Sequence, residues 1–276
     1  MATGATSLTT LATPLRYRRN VATLSPQQLE LLRSGFRKLQ SFSDADDRGY
    51  QYWSGVHGLP LPEYCNIAHG TPLFLPWHRA YLYRFERALR DQESDAMLAW
   101  WDWRTRPGQP SRIPAALAEQ TVDGQPNPLF EAKVQQVALQ QGGSVGQQLG
   151  SPTRRAPSRT RRLPTPQEIE DVLNDDDFGS FSDRLDTYHG GVHVWVGAHM
   201  SQIPYSAYDP IFYFHHTFID RLWRQWQLRH GRPGPPEQLW DEPLDPFNMT
   251  VRRTLSVKRL GYDYATVTVS RQVVRS

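Results

Sequence analysis

The sequence predicts one mainly helical domain over residues 1–276, with long loops and a few short strands, and three observations carry that reading. The first is the stretch from Tyr188 to Trp226, which holds five of the nine histidines. His189 and His193 are four apart, so on a helix they project from one face. His215 and His216 follow Asp209-Pro210, which reads as an N-cap with proline at the first helical position. The second is residues 69–91 (HGTPLFLPWHRAYLYRFERALRD). With Pro76 opening a helix, His78, Leu82, Phe85 and Leu89 share one inward face, and Arg79, Arg84, Arg87 and Arg90 take the other sides. The third is a pair of capping boxes, Ser25-Pro26-Gln27-Gln28 and Thr165-Pro166-Gln167-Glu168, each a serine or threonine answered three residues later by Gln or Glu.

The remaining elements are read in order. Residues 1–15 are small and polar and are expected to fray. Arg16 to Val21 suits a short strand. The helix after Ser25 buries Leu29, Leu32, Phe36 and Leu39. Residues 41–66 read as loop, with a helical turn at Tyr50, Tyr52, Trp53 and Val56 leading to His57. Met97 to Trp103 (MLAWWDW) is too aromatic for a surface segment. Residues 104–164 are rich in Pro, Gly, Gln and Arg and are the least regular part. The five arginines between Arg154 and Arg162 read as a solvated basic loop, since no aromatic is interleaved for nucleic acid. The second capping box opens a short helix through Leu173. Residues 254–269 alternate loosely and suggest one or two short strands.

Composition bounds the function. Hydrophobic content of 38% and charge of 21% suit a globular chain. A net charge of +3 is too small to imply nucleic acid, and no apolar run of eighteen residues suits a membrane span. The N-terminus has no basic and apolar leader, and one cysteine cannot make an internal disulfide. A cytoplasmic protein is therefore expected, with secretion beside a partner in trans as the alternative. Nine Trp, twelve Tyr and eleven Phe are an excess that can wall a site for an aromatic ligand.

The histidines fall into two sets: His57, His69 and His78, then His189, His193 and one of His215/His216. A lone histidine on an apolar helix face is usually a hydrogen-bonded core residue, but six at coherent spacings beside aromatics point to metal. Neutral imidazole suits copper, zinc, iron and nickel, and the absence of a Glu-x-x-His pattern disfavours a carboxylate di-iron site. Three nitrogens per ion leave coordination positions open, as a catalytic or gas-binding centre requires. Two-electron reduction of dioxygen takes one electron from each of two Cu(I) ions. No Gly-rich phosphate loop suggests an organic cofactor.

HGTPLFLPWHRAYLYRFERAL and HGGVHVWVGAHM with DPIFYFHHTFIDRLWRQW resemble the two copper motifs of the tyrosinase, catechol oxidase and hemocyanin group, the type-3 copper proteins. The resemblance runs over about residues 15–269. It implies a four-helix bundle around a dinuclear copper site, with His57, His69 and His78 on one ion and His189, His193 and His216 on the other. It also implies that Tyr262 and Tyr264 are tied to Arg18 or Arg19. Asp220 is expected to orient an imidazole, and His199 and His230 to lie outside the ligand set. The implied activity is oxidation of o-diphenols to o-quinones with dioxygen as co-substrate, and ortho-hydroxylation of monophenols in tyrosinases proper.

Asp186, within FSDRLD, matches an acidic residue proposed to hold a proton-accepting water. Gly190 stands where tyrosinases have an asparagine, which favours diphenols over monophenols. Val194 replaces an arginine of several bacterial tyrosinases, so small neutral phenols are the expected substrates. Ile203 matches the gate position. Gly190 and Gly191 each cost a helix roughly 1 kcal/mol relative to Ala, which suggests close backbone approach there. Cys65 is expected to be a buried free thiol rather than a thioether partner, because its spacing to His57 and His69 departs from the family's. The alternatives are an o-aminophenol oxidase on the same site, an oxygen carrier like hemocyanin, or a dinuclear zinc hydrolase, which lacks its bridging carboxylates. Only a dozen residues follow Tyr264, so no shielding domain is expected in cis, and a copper-delivery partner would act in trans.

Overall fold

The computed structural model describes residues 14–265. The elements that place the site are, in order, strand β1 (Arg16–Asn20), helices α1 (Pro26–Gln40), α2 (Tyr50–His57) and α3 (Phe74–Gln92), strand β2 (Ala99–Trp100), helices α4 (Pro166–Leu173), α5 (Phe178–Val196) and α6 (Ile211–His230), and strand β3 (Tyr262–Tyr264). Helices α2, α3, α5 and α6 form the bundle that carries the histidines. No helix among the described residues is long and apolar enough to cross a membrane.

Both capping boxes form. Ser25 Oγ accepts the Gln28 N–H at 3.2 Å, and Gln28 returns its side-chain oxygen to the Ser25 N–H at 3.0 Å. Thr165 and Glu168 repeat the exchange. Two helix starts differ from expectation. Helix α3 begins at Phe74, so Pro76 is its third residue, a first-turn position whose N–H would be unpaired anyway. Helix α6 begins at Ile211. Asp209 still accepts the Ile211 N–H, at 3.1 Å, but its carboxylate is gripped by Arg155.

Arg155 is the main correction to the basic loop. Its side chain is 6% exposed and pairs with the wholly buried Asp209, so this arginine is structural. Residues 41–66 are also more ordered than a loop, because α2 and a 3-10 turn at Tyr64–Ile67 lie within them. Two short helices, Gln136–Gln141 and Gly143–Leu149, break the irregular middle. Of the loosely alternating 254–269, Val251–Thr254 is a helical turn, Val257–Leu260 a 3-10 turn and Tyr262–Tyr264 a strand. Residues 266–269, and residues 1–13 at the other end, lie outside the described residues.

The aromatic excess fills the core. Trp77, Trp101, Trp103, Trp223 and Trp226 are all fully buried, and Phe85 stacks on Tyr213 with centroids 3.7 Å apart. Leu32, Phe36 and Leu39 of α1 join them, with Leu29 at the margin.

A parallel sheet closes the bundle, with β1 central between β2 and β3. Arg18 pairs with Tyr264 in register and turns inward. It donates to Glu86 at 2.9 Å and to Asp220 at 3.1 Å. Asp220 also takes Arg79, Tyr264 and, at 2.7 Å, the Tyr262 hydroxyl. Arg79 is thus wholly buried rather than on an outer face, with its guanidinium 3.5 Å over Trp223. Asp220 binds guanidinium and phenol groups, not an imidazole, because its carboxylate on α6 points to the sheet side of the bundle. Two guanidiniums and two carboxylates share this dry space, so the charges cancel.

Burial alone would raise the Asp220 carboxyl, but Arg79 and Arg18 hold it below the ordinary carboxylate range. Its contribution is therefore present above the ordinary aspartate range and lost as pH falls through the folded value. Asp220→Ala strands two buried cations and is expected to cost about 3–5 kcal/mol in denaturant unfolding at pH 7; a cost below about 1 kcal/mol would contradict this account.

Candidate metal centre

Each histidine of the first set comes from a different piece of chain. His57 ends α2, His69 sits in the turn before α3, and His78 lies one turn into α3. Their ring centroids are 5.0–5.9 Å apart. His78 Nδ1 lies 2.8 Å from the Phe74 carbonyl. A carbonyl only accepts, so Nδ1 carries the proton and Nε2 presents a lone pair. The Nε2 atoms of His57, His69 and His78 are all buried with no protein partner.

In the second set, the four-residue spacing on α5 aims His189 and His193 at α6. His193 Nδ1 donates to the Met200 carbonyl at 2.8 Å and His189 Nδ1 to Asp186 at 3.0 Å. Their Nε2 lone pairs then both face His216 Nε2, each at 3.2 Å. His216 can place at most one proton there, so at least one of the two lone pairs facing it is left without a donor. That arrangement repels unless a cation sits among the three nitrogens. The donor set, three imidazole nitrogens twice over, suits copper.

The two sets adjoin. His78 stacks on His216 at 4.5 Å between centroids, and His69 on His189 at 5.5 Å. His215 lies against His189 at 5.1 Å and nearly parallel, with both nitrogens unpartnered. Of the paired histidines, His216 is the one whose Nε2 lies 3.2 Å from both His189 and His193 Nε2, while a His215 nitrogen also lies within 4.8 Å of the group. Burial, then neighbouring imidazoles, push His57 and His216 well below the ordinary histidine range. Burial also lowers His78 and His193. These rings are neutral at pH 7, the state that binds metal.

Asp186 bridges the two halves. Burial would raise it, but the His189 hydrogen bond at 3.0 Å, the nearby His69 imidazole and the Gly70 N–H at 2.9 Å hold it well below the ordinary carboxylate range. His69 Nδ1 is 3.7 Å away. The first consequence is to fix the His189 tautomer. The Gly70 contact carried no sequence signal, since it depends on a turn meeting α5.

A cavity of about 280 Å³ opens over the histidines, near the lower edge of the ~300–1,000 Å³ usual for small-molecule sites. His57, His69, His189 and His193 form its floor, and Gly190, Val194, Met200, Ser201, Ile203 and Ser206 its sides. Val194 and Ile203 are 46% and 50% exposed at the mouth. Ser201 and Ser206 were not expected there; Ser206 Oγ lies 3.5 Å from His57 Nδ1. Nothing approaches Gly190 or Gly191 within 4 Å of an added Cβ, so close backbone contact is not their reason. At Gly190 the missing side chain instead enlarges the cavity.

Cys65 is buried and free, and its thiol donates to the His57 carbonyl at 2.8 Å. Burial pushes its pKa up to about 12, so it is a thiol in the metal-free protein, and its sulfur lies within 4.8 Å of ligand nitrogens of His57 and His69. His199 and His230 are satisfied by backbone groups away from the floor.

The family profile described as the common central domain of tyrosinase matches residues 47–229. Hemocyanin G-type, units Oda to Odg, of Enteroctopus dofleini is 30% identical over 270 residues, covering 85% of this chain and 9% of its own. A tyrosinase of Streptomyces lincolnensis is 31% identical over 210 residues, 65% of this chain and 74% of that one. The solved functional unit of octopus hemocyanin superimposes with a TM-score of 0.76 at 28% identity, covering 91% of this chain and 68% of that one. The chain spans 7–22% of the length of three hemocyanin chains it matches. On the profile match and these relatives, this chain belongs to the tyrosinase family of type-3 copper proteins, which bind two copper ions.

Proposed function

We propose that this protein is a dinuclear copper oxidoreductase that uses dioxygen to oxidise small o-diphenols to o-quinones. His57, His69 and His78 would hold one copper, and His189, His193 and His216 the other. When bound, two copper(I) ions side by side supply the two electrons that reduce dioxygen. The observation that carries the reading is the open cavity above the imidazoles, with half-exposed Val194 and Ile203 at its mouth. An oxygen carrier needs dioxygen to enter; a phenol oxidase needs room for a ring as well, and this cavity provides it.

The residues around the floor divide the remaining work. Asp186, Phe74 O and Met200 O hold the imidazole Nδ1–H groups. Val194 and Ile203 offer an aromatic ring apolar sides and exclude water from them. No Lys or Arg side chain lines the cavity among the described residues, so a substrate carboxylate gains no ion pair, and neutral diphenols are preferred. Gly190 contributes no amide to hold a water. Asp186 alone would then orient the acceptor of a phenol proton, and its carboxylate is already engaged by the His189 Nδ1–H and the Gly70 N–H. Ortho-hydroxylation of monophenols is therefore the minor activity. An o-aminophenol presents the same shape and is the second substrate class. The hemocyanin relatives favour oxygen carriage as the second reading.

Oxygen uptake by copper-loaded protein should be about a hundredfold faster with catechol than with phenol. Uptake with neither, despite two bound coppers, would contradict the oxidase reading and favour oxygen carriage. Val194→Arg should lower KM for a carboxylate-bearing catechol about threefold and leave catechol itself unchanged, as an exposed ion pair allows; unchanged KM for both would place Val194 away from the substrate. Asp186→Asn replaces an acceptor with an amide facing the His189 Nδ1–H. It should weaken copper binding at the second set about 10–100-fold in a chelator titration; wild-type affinity would show that Asp186 does not fix His189.

A further inference from the structure

The cavity wall that carries Ile203 is a single helical turn, Ile203–Ser206. Two different supports hold it. On one side the Leu59 N–H donates to the Pro204 carbonyl at 3.2 Å. The preceding Gly58, next to His57, meets Pro204 so closely that a Cβ there would overlap its backbone. On the other side Tyr205 turns away from the cavity and is 1% exposed. Its ring enters a small separate core with Val134, Ala138, Leu139 and Tyr208.

That core is built by the two short helices Gln136–Gln141 and Gly143–Leu149. The Tyr205 hydroxyl donates to the Ala138 carbonyl at 3.2 Å. A Cβ on Gly142 would coincide with that hydroxyl, and one on Gly146 would come within 2.6 Å of it. Gly142 has φ −75°, so it does not need a left-handed backbone. Gly142 is small because the phenol occupies the place of its side chain; at Gly146 the Leu139 carbonyl, 2.1 Å from an added Cβ, comes first and the phenol second. The hairpin is tied again at its exit. His199 Nδ1 accepts the Arg154 N–H at 3.0 Å, which leaves Nε2–H to donate to the Gly150 carbonyl at 3.0 Å. His199, which precedes the wall, and Tyr205 within it are therefore both tied to backbone groups of residues 138–154, in bonds that touch no candidate copper ligand.

We propose that the hairpin of residues 136–150 is a specificity element. Through the Tyr205 socket it sets how far Ile203 stands over the cavity, and so which ring substituents enter. Tyr205, Gly142 and Gly146 are positioning residues, since none of them lines the cavity. The kinetic part of this inference rests on the diphenol-oxidising reading; the structural part does not.

The test uses the full chain with Gly142→Ala, Tyr205→Phe and, on the exposed face of the same hairpin, Val145→Ser. Hydrogen–deuterium exchange on the metal-free protein should rise about tenfold across residues 202–208 in G142A and stay at the wild-type level in V145S. With copper loaded, the ratio of kcat/KM for 4-tert-butylcatechol to that for catechol should rise about fivefold in G142A. The change should appear in KM, with kcat for catechol within about twofold. If G142A does not fold, Y205F carries the test, with a shift in the same direction of about twofold from the lost hydrogen bond. Unchanged exchange across 202–208, or raised exchange with an unchanged substrate ratio, overturns the proposal. A wild type that oxidises neither catechol counts against the diphenol reading, and the exchange arm, which needs no turnover, then decides the brace alone.

Discussion

Three imidazole N–H groups spent on fixed acceptors set up everything else in this molecule. His78, His189 and His193 each give Nδ1–H to a group that cannot turn away: two backbone carbonyls and a carboxylate. Their Nε2 lone pairs are then committed inward, with those of His189 and His193 aimed at His216. Burial keeps the rings neutral, and no protein donor reaches the Nε2 atoms of the first set. Converging lone pairs in a dry space store repulsion that a bound cation removes, so the site is preorganised for metal at a cost to the metal-free fold.

That cost is offset on the opposite side of α3 and α6. There Arg79 and Asp220 join the two helices, and Arg18 brings in β1 and Glu86. The cluster is wholly buried and electrically balanced, and its members come from residues 18, 79, 86, 220, 262 and 264. It therefore fixes the register of the two helices that deliver His78 and His216. Helix α5 is held differently, by Asp186 to the Gly70 turn and by a loop whose Ala156 and Ser158 N–H groups bond Val196 and Trp195. The site is thus framed by rigid elements, while the cavity wall hangs on short turns.

Local features were legible in the sequence where their cause is local. Capping boxes need residues three apart, and histidines four apart share a helix face, so α1, α4 and the His189–His193 pair could be read directly. The identity of the buried ion pairs could not. Arg79 and Arg155 look like surface arginines until Asp220 and Asp209, 141 and 54 residues away, are placed beside them. Asp220 looked suited to an imidazole because both lie on α6, but its side chain leaves the helix on the sheet side. Gly190 and Gly191 suggested a crowded backbone, whereas neither is crowded and the crowded glycines beside the cavity wall include Gly58, Gly142 and Gly146. Which of His215 and His216 meets the α5 histidines closely also needed three dimensions, since either gives a good helical stripe.

The central claim is that the six histidines Nε2-first form two adjacent cation sites rather than a polar core. It is tested most directly by metal content and thermal unfolding of one purified sample, stripped with chelator and then reloaded with copper. The account predicts two coppers per chain and a rise in Tm that grows with free copper, by about 2.7 kcal/mol of stability at a hundredfold excess over Kd for each site. One copper or none, with Tm unmoved, would mean that the converging nitrogens are satisfied by protons and water, and the account would fail.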